Sequence, residues 1–186
     1  MRVDKEIEKL KANIFSGDWD KMKESSNRLF EIGSQEDIDY LLSLLDQPNS
    51  LVRNAVSLTF MDYKFNDALD PLLKSIAKHE NRNDRGTMVY ALQKLDCRSK
   101  LKELFNILFT SPKNLEVQSG ILQILDEQEF EFTKYDLIEI QKNWERLKDN
   151  WDEENGIEKG ELREFDIDRD VIQNFVDGYV SYLKSQ

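Results

Sequence analysis

Apolar side chains recur along this chain at helical spacing, and the helical stretches themselves recur. Ile38, Leu41, Leu42 and Leu45 fall at i, i+3, i+4 and i+7. Leu69, Leu72, Leu73 and Ile76 repeat that spacing, as do Leu101, Leu104, Phe105 and Leu108. Each set paints one apolar stripe along a helix. These stripes predict helices over 38–46, 68–79 and 101–109, with a fourth over 134–148. Between them lie segments with a second shared pattern, 22–33, 53–64, 85–96 and 118–129. Their large apolar residues Leu29, Phe60, Leu92 and Leu125 stand 31, 32 and 33 residues apart. That near-constant period fits two-helix units, and one stripe per helix closes no core alone, so successive pairs are expected to stack.

Local punctuation agrees with this scheme. Asp70-Pro71 reads as an N-cap followed by proline at the first helical position. Thr133 with Asp136 reads as a capping box. Pro48 and Pro112 follow helix ends, and Gly33 closes the helix before it. Beyond residue 148 the character changes. Residues 149–170 carry ten acidic and three basic side chains and no clear period, which predicts an acidic connector. Val171, Ile172, Phe175, Val176, Tyr179, Val180 and Leu183 then form a stripe that predicts a final helix over 171–184.

The segment LLSLLDQPNSLVRNAVSLTF (41–60) resembles the HEAT-repeat family. It shares a leucine-rich first helix, an Asp (Asp46), a short turn and then Val-Arg (Val52-Arg53) opening the second helix. The resemblance spans residues 18–148. It implies an all-α, right-handed α-solenoid of about four helix pairs, with 1–17 as an N-terminal capping helix and the C-terminal helix beyond the connector. It also implies that Arg53, and Arg85 one unit later, pair with inter-helix carboxylates such as Asp46 in a ladder that fixes stacking. Met22 and Gln118 replace that arginine at the two ends, where the ladder is expected to fail.

Composition narrows the function more than the fold. Only 7 Gly and 3 Pro among 186 residues disfavour a hairpin-rich barrel or sandwich. Cys97 is the sole cysteine and His79 the sole histidine, which removes a disulfide framework and a conventional zinc site. A single thiol fits a reducing compartment. No run approaches the length of a membrane span, and the first fifteen residues alternate charges in a way no secretory leader does. A cytoplasmic location is the expectation. The net charge is −11; such a surface repels phosphate backbones and suits a basic protein.

No catalytic constellation emerges. Any Ser-His-Asp or Cys-His arrangement has to run through His79, which sits in the polar turn KHENRND. Cys97 lies near Arg98 and Lys100, an environment that favours a thiolate, but its place at a repeat junction suits a small core residue. Counting back from Gly156 or Gly160 fails to place calcium ligands at the required positions. No glycine-rich phosphate loop is present. With 37 acidic residues, a glycosidase-like carboxylate pair carries no information.

What remains is a surface. In HEAT-like solenoids the second helix of each pair lines the concave face, and Leu58, Tyr90 and Leu122 recur there 32 residues apart, with Lys94 one turn on from Tyr90. They read either as a partner-binding ridge or as packing between neighbouring helices. Trp151, inside the acidic stretch, reads as an aromatic anchor or as packing for the last helix, with Asp152, Glu153 and Glu154 as docking carboxylates. Small acidic helical-repeat proteins of this kind resemble bacterial immunity proteins, which neutralise a cognate toxin, often a nuclease. The expected function is therefore non-catalytic binding of a basic protein, without cofactor, as a monomer or simple heterodimer. A regulatory or assembly scaffold is the alternative. A HEAT-like DNA glycosylase belongs to another class, and the charge balance opposes it.

Overall fold

The computed structural model describes residues 2–157 and 166–183, and among these the chain is helical with no strand. Two compact units divide it, Met1–Asp96 and Cys97–Gln186. The first holds α1 (Arg2–Asn13), α2 (Trp19–Ile32), α3 (Gln35–Ser43), α4 (Ser50–Asp62), α5 (Leu69–Ile76) and α6 (Gly86–Leu92). The second holds α7 (Leu101–Phe109), α8 (Leu115–Glu127), α9 (Lys134–Leu147), α10 (Trp151–Asn155) and α11 (Arg169–Val180). Single 3-10 turns at Leu44–Asp46 and Ser181–Leu183 extend α3 and α11.

Caps decide where these helices start. Asp18, Asn49, Asn114 and Asp168 each accept a bond from a first-turn amide of the helix they precede. Ser34–Asp37 and Thr133–Asp136 form capping boxes. Each satisfies donors that the helix itself leaves orphaned. Because the caps lie upstream of the apolar stripes, α2, α4 and α8 begin three residues before the segments that the stripes mark. Asp70-Pro71 is displaced from its expected role. The helix begins at Leu69 with Ala68 as its cap residue, which leaves Pro71 third in the helix, where its missing N–H is still not needed. Gly33 closes α2 without a left-handed turn. A Cβ there would sit 2.5 Å from Leu29 O and 2.7 Å from Asp37 Cβ, so glycine permits the close entry into α3.

In the first unit α2 packs against α1, α3 and α4, while α4 packs against α6, and α5 lies on α6 and the Leu44–Asp46 turn. The four marker residues Leu29, Phe60, Leu92 and Leu125 are all buried, the last in the second unit. Polar contacts join positions about one period apart. The Thr59 hydroxyl donates to Asn27 Oδ1 (2.7 Å), Tyr63 OH to Glu31 Oε1 (2.6 Å) and Ser75 Oγ to Leu45 O (2.6 Å). In the second unit α7 packs on α8 and α9, and α9 on α11. Phe109 stacks on Trp144 at 5.8 Å, and Trp144 meets Trp151 edge to face at 5.5 Å.

Among the described residues, Arg53 does not pair with Asp46 as the resemblance implies. Asp46 pairs with Lys78 instead (2.8 Å), while Arg53 Nη1 donates to the carbonyls of Gln47 (2.7 Å) and Pro48 (2.9 Å). Arg53 is buried; desolvation pushes its pKa down, and nearby Asp84 and Glu80 favour its charged form. Arg85 does a similar job, donating from Nη1 to Ile76 O (3.2 Å) at the end of α5. Gln118, expected to break the pattern, keeps it, because its Nε2 donates to Ser111 O (3.1 Å) just beyond α7. The common element is a long side chain reaching back to carbonyls that a helix end leaves open.

Candidate protein-binding surface

The residues singled out in the sequence separate into exposed and buried sets. Tyr90 is 50% exposed on α6, Lys94 is exposed just beyond it, and Leu58 on α4 is half-buried. Leu122 on α8 is only 9% exposed, so at that position packing holds and the ridge reading fails. Trp151 is 2% exposed. Its ring packs on Trp144 and its Nε1 donates to Ile167 O (2.9 Å), so it is a core residue and no surface anchor. An aromatic among carboxylates looked like bait for a partner; instead it pins the start of α11 to α10.

The expected connector over 149–170 is not featureless, because α10 lies inside it; residues 158–165 fall outside the described residues. Asp152 is half-buried, and its Oδ1 accepts from the Arg169 backbone N–H (2.7 Å). It caps α11 rather than standing free to dock. Glu153 and Glu154 are exposed. Gly156 ends α10 in the left-handed region at φ 72°.

The second unit carries an open aromatic groove of about 680 Å³ that sequence reasoning missed. One wall is the irregular segment between α8 and α9, which runs Glu129-Phe130-Glu131-Phe132. Two bonds pin it in place. The Cys97 N–H donates to Gln128 Oε1 (2.9 Å), and the Glu131 N–H donates to Arg98 O (2.9 Å). The other wall is α11 with its 3-10 extension, presenting Phe175, Gly178, Tyr179 and Tyr182. Tyr179 stands edge-on to both Phe130 and Phe132, each 6.1 Å away, and Phe132 meets Tyr182 at 5.4 Å. Tyr179 OH donates to Leu125 O (2.9 Å), and burial, with Tyr182 and Asp126 behind it, pushes its pKa up to about 12. Tyr182, by contrast, is 54% exposed.

The signal for this groove was the alternation of Glu and Phe. Period two in an inter-helix segment places Phe130 and Phe132 on one side of an extended chain, and Glu129, at its start, borders the same depression. With no strand to join, an aromatic side of that kind either docks in the core or borders a depression. Here Phe130 and Phe132 stay half-buried and do the latter.

Among the described residues, no helix is long and apolar enough to cross a membrane, and no group of three His, Cys, Asp or Glu side chains is arranged to hold a metal ion. No protein-family model, curated protein or solved structure matches the chain.

Proposed function

We propose that this chain is a non-catalytic binding protein whose partner is a basic protein. The observation that carries the reading is the uneven charge: residues 97–186 hold 20 acidic and 12 basic side chains, against 17 and 14 in residues 1–96. A net of −8 on the smaller half sets up a field that speeds encounter with a cationic surface and repels nucleic acid. Exposed Glu153 and Glu154 and the aromatic groove belong to that same half. In its finer form the reading is a cytoplasmic, HEAT-like right-handed solenoid of the immunity or antitoxin type, which neutralises a toxin such as a nuclease by covering its basic active site. The row α2–α4–α6 and the contacts one period apart support the repeat part of that reading.

The test is capture of a partner with the full chain, followed by association kinetics at low and high salt. The expected partner is basic. Its association rate falls at least about tenfold between 50 mM and 300 mM salt, because surface charges are screened over roughly 10 Å. Replacing Glu153 and Glu154 together with Ser slows association and leaves dissociation unchanged. Asp152 is left intact in this variant because it caps α11. An acidic partner, a salt-independent rate, or tight binding of duplex DNA at low salt would overturn the reading.

A further inference from the structure

Gly178 is a poor helix former set inside a helix. It lies within α11, its φ is not in the left-handed region, and a Cβ built on it meets nothing within 4 Å among the described residues. Glycine is the poorest helix former after proline, so alanine or leucine would serve α11 better. Among the described residues, neither backbone geometry nor close packing explains its presence. Its position does: Gly178 lines the groove in the α11 wall, between Phe175 and Tyr179, across from the wall that carries Phe130 and Phe132. Any larger side chain would fill that space.

The chemistry of the groove narrows what enters. Tyr179 stands at 77° to Phe130 and 87° to Phe132, so ring faces as well as edges border the depression. Glu129 and Asn174 also line the groove and carry oxygen acceptors. Residues 126–134 carry four carboxylates, Asp126, Glu127, Glu129 and Glu131, against one cation, Lys134. Aromatic faces beside a carboxylate attract a cation, and a planar guanidinium uses both better than an ammonium does. It stacks on rings, sheds water more easily and presents paired donors to a carboxylate. We propose that the groove is the docking site for an arginine side chain of the basic partner, received over Gly178 with Glu129 as its counter-charge. The assignment rests on the basic-partner reading and names where that partner is gripped.

The test uses the full-length protein and two peptides of equal charge, hexa-arginine and hexa-lysine, in titration calorimetry at 0.15 M salt. The expected result is hexa-arginine binding about five- to tenfold tighter than hexa-lysine, a margin within reach of one cation–ring contact. Gly178→Leu should keep or raise the melting temperature yet erase that preference, and Tyr182→Ser, which removes an exposed ring, should reduce it. A Gly178→Leu protein that is folded and still prefers arginine overturns the assignment. So does equal binding of the two peptides by the parent. If peptide binding is instead lost only on changing Glu153 and Glu154, the groove assignment fails while the basic-partner reading stands. If neither peptide binds at low salt, both fail.

Discussion

Arg53, Arg85 and Gln118 recur in the sequence at intervals of 32 and 33 residues, and all three point donors at main-chain carbonyls. The carbonyls lie in the last residue of a helix or just beyond it, where the last acceptors have no intrahelical partner and the dipole is negative. Burying a guanidinium there is tolerable because Arg53 gains two such bonds and because Asp84 and Glu80 offset part of its desolvation. Arg53→Ala is therefore expected to cost about 1.5–3 kcal/mol in chemical denaturation, the range for hydrogen bonds to charged groups. Arg53→Gln should recover part of the loss, since Gln118 performs the same bond with a neutral amide. Loss of stability by Arg53→Gln as great as by Arg53→Ala would show that charge rather than carbonyl capping is what matters. The Asp46 partner that the resemblance implies for Arg53 is the part that differs, because a sequence displays a long donor but not whether a carboxylate or a carbonyl waits for it. Trp151 shows the same limit: a tryptophan among acids is conspicuous, and only tertiary structure says that Ile167 O receives its N–H.

At the scale of elements, the legible helices were those with two or more turns of apolar stripe. Helix α7 runs over the expected 101–109, and α9 ends one residue short of 148. The five-residue α10 was illegible for the complementary reason, since it is too short to display a period of 3.6. Helix starts were less legible than helix bodies, because Asp18, Asn49 and Asn114 are polar and fall outside any stripe. One start offers a direct test. Asp37 closes the capping box of α3, accepting from Ser34 N–H and Ser34 Oγ (both 2.9 Å), and also pairs with Lys11 of α1 (2.6 Å). The Lys11 ammonium first, and then the Ser34 donors, hold the Asp37 carboxyl below its usual range. A folded-state pKa below the unfolded one means a contribution that is complete above about pH 4 and lost as pH falls through the folded value. Asp37→Asn should therefore cost about 1–2 kcal/mol at pH 7, the worth of a cap with a partly exposed ion pair added. In urea titrations the gap between variant and parent should close below about pH 4. A gap that widened in acid would place the stabilisation somewhere other than the ionised carboxylate.

Over the whole molecule, charge and aromatic side chains are both distributed unevenly, and the two distributions coincide. The second unit carries a net of −8 and the first a net of −3. The second unit also buries Trp144 and Trp151, whereas Trp19, the remaining tryptophan, is 39% exposed in the first. Self-repulsion among like charges opposes compaction, and salt relieves it by screening. Opposing this, salt also weakens the ion pairs Lys102–Glu139 and Lys148–Glu145, but these are surface pairs, each worth at most about 1 kcal/mol. With eight uncompensated charges on ninety residues, relief of repulsion should win. Tryptophan fluorescence reads the second unit preferentially, because exposure of two buried indoles shifts emission far more than does an indole already in contact with water. We therefore expect the fluorescence-detected melting midpoint to rise by about 4–8 °C between 20 mM and 300 mM sodium chloride, equivalent to about 1 kcal/mol in a domain of this size. The ultraviolet difference signal of the first unit's Tyr63, held by Glu31 and stacked at 4.7 Å on Phe30, should move less. A fluorescence midpoint that falls with salt would mean that the second unit's carboxylates are compensated in the fold, and its acidity would then have no surplus left to offer a basic partner.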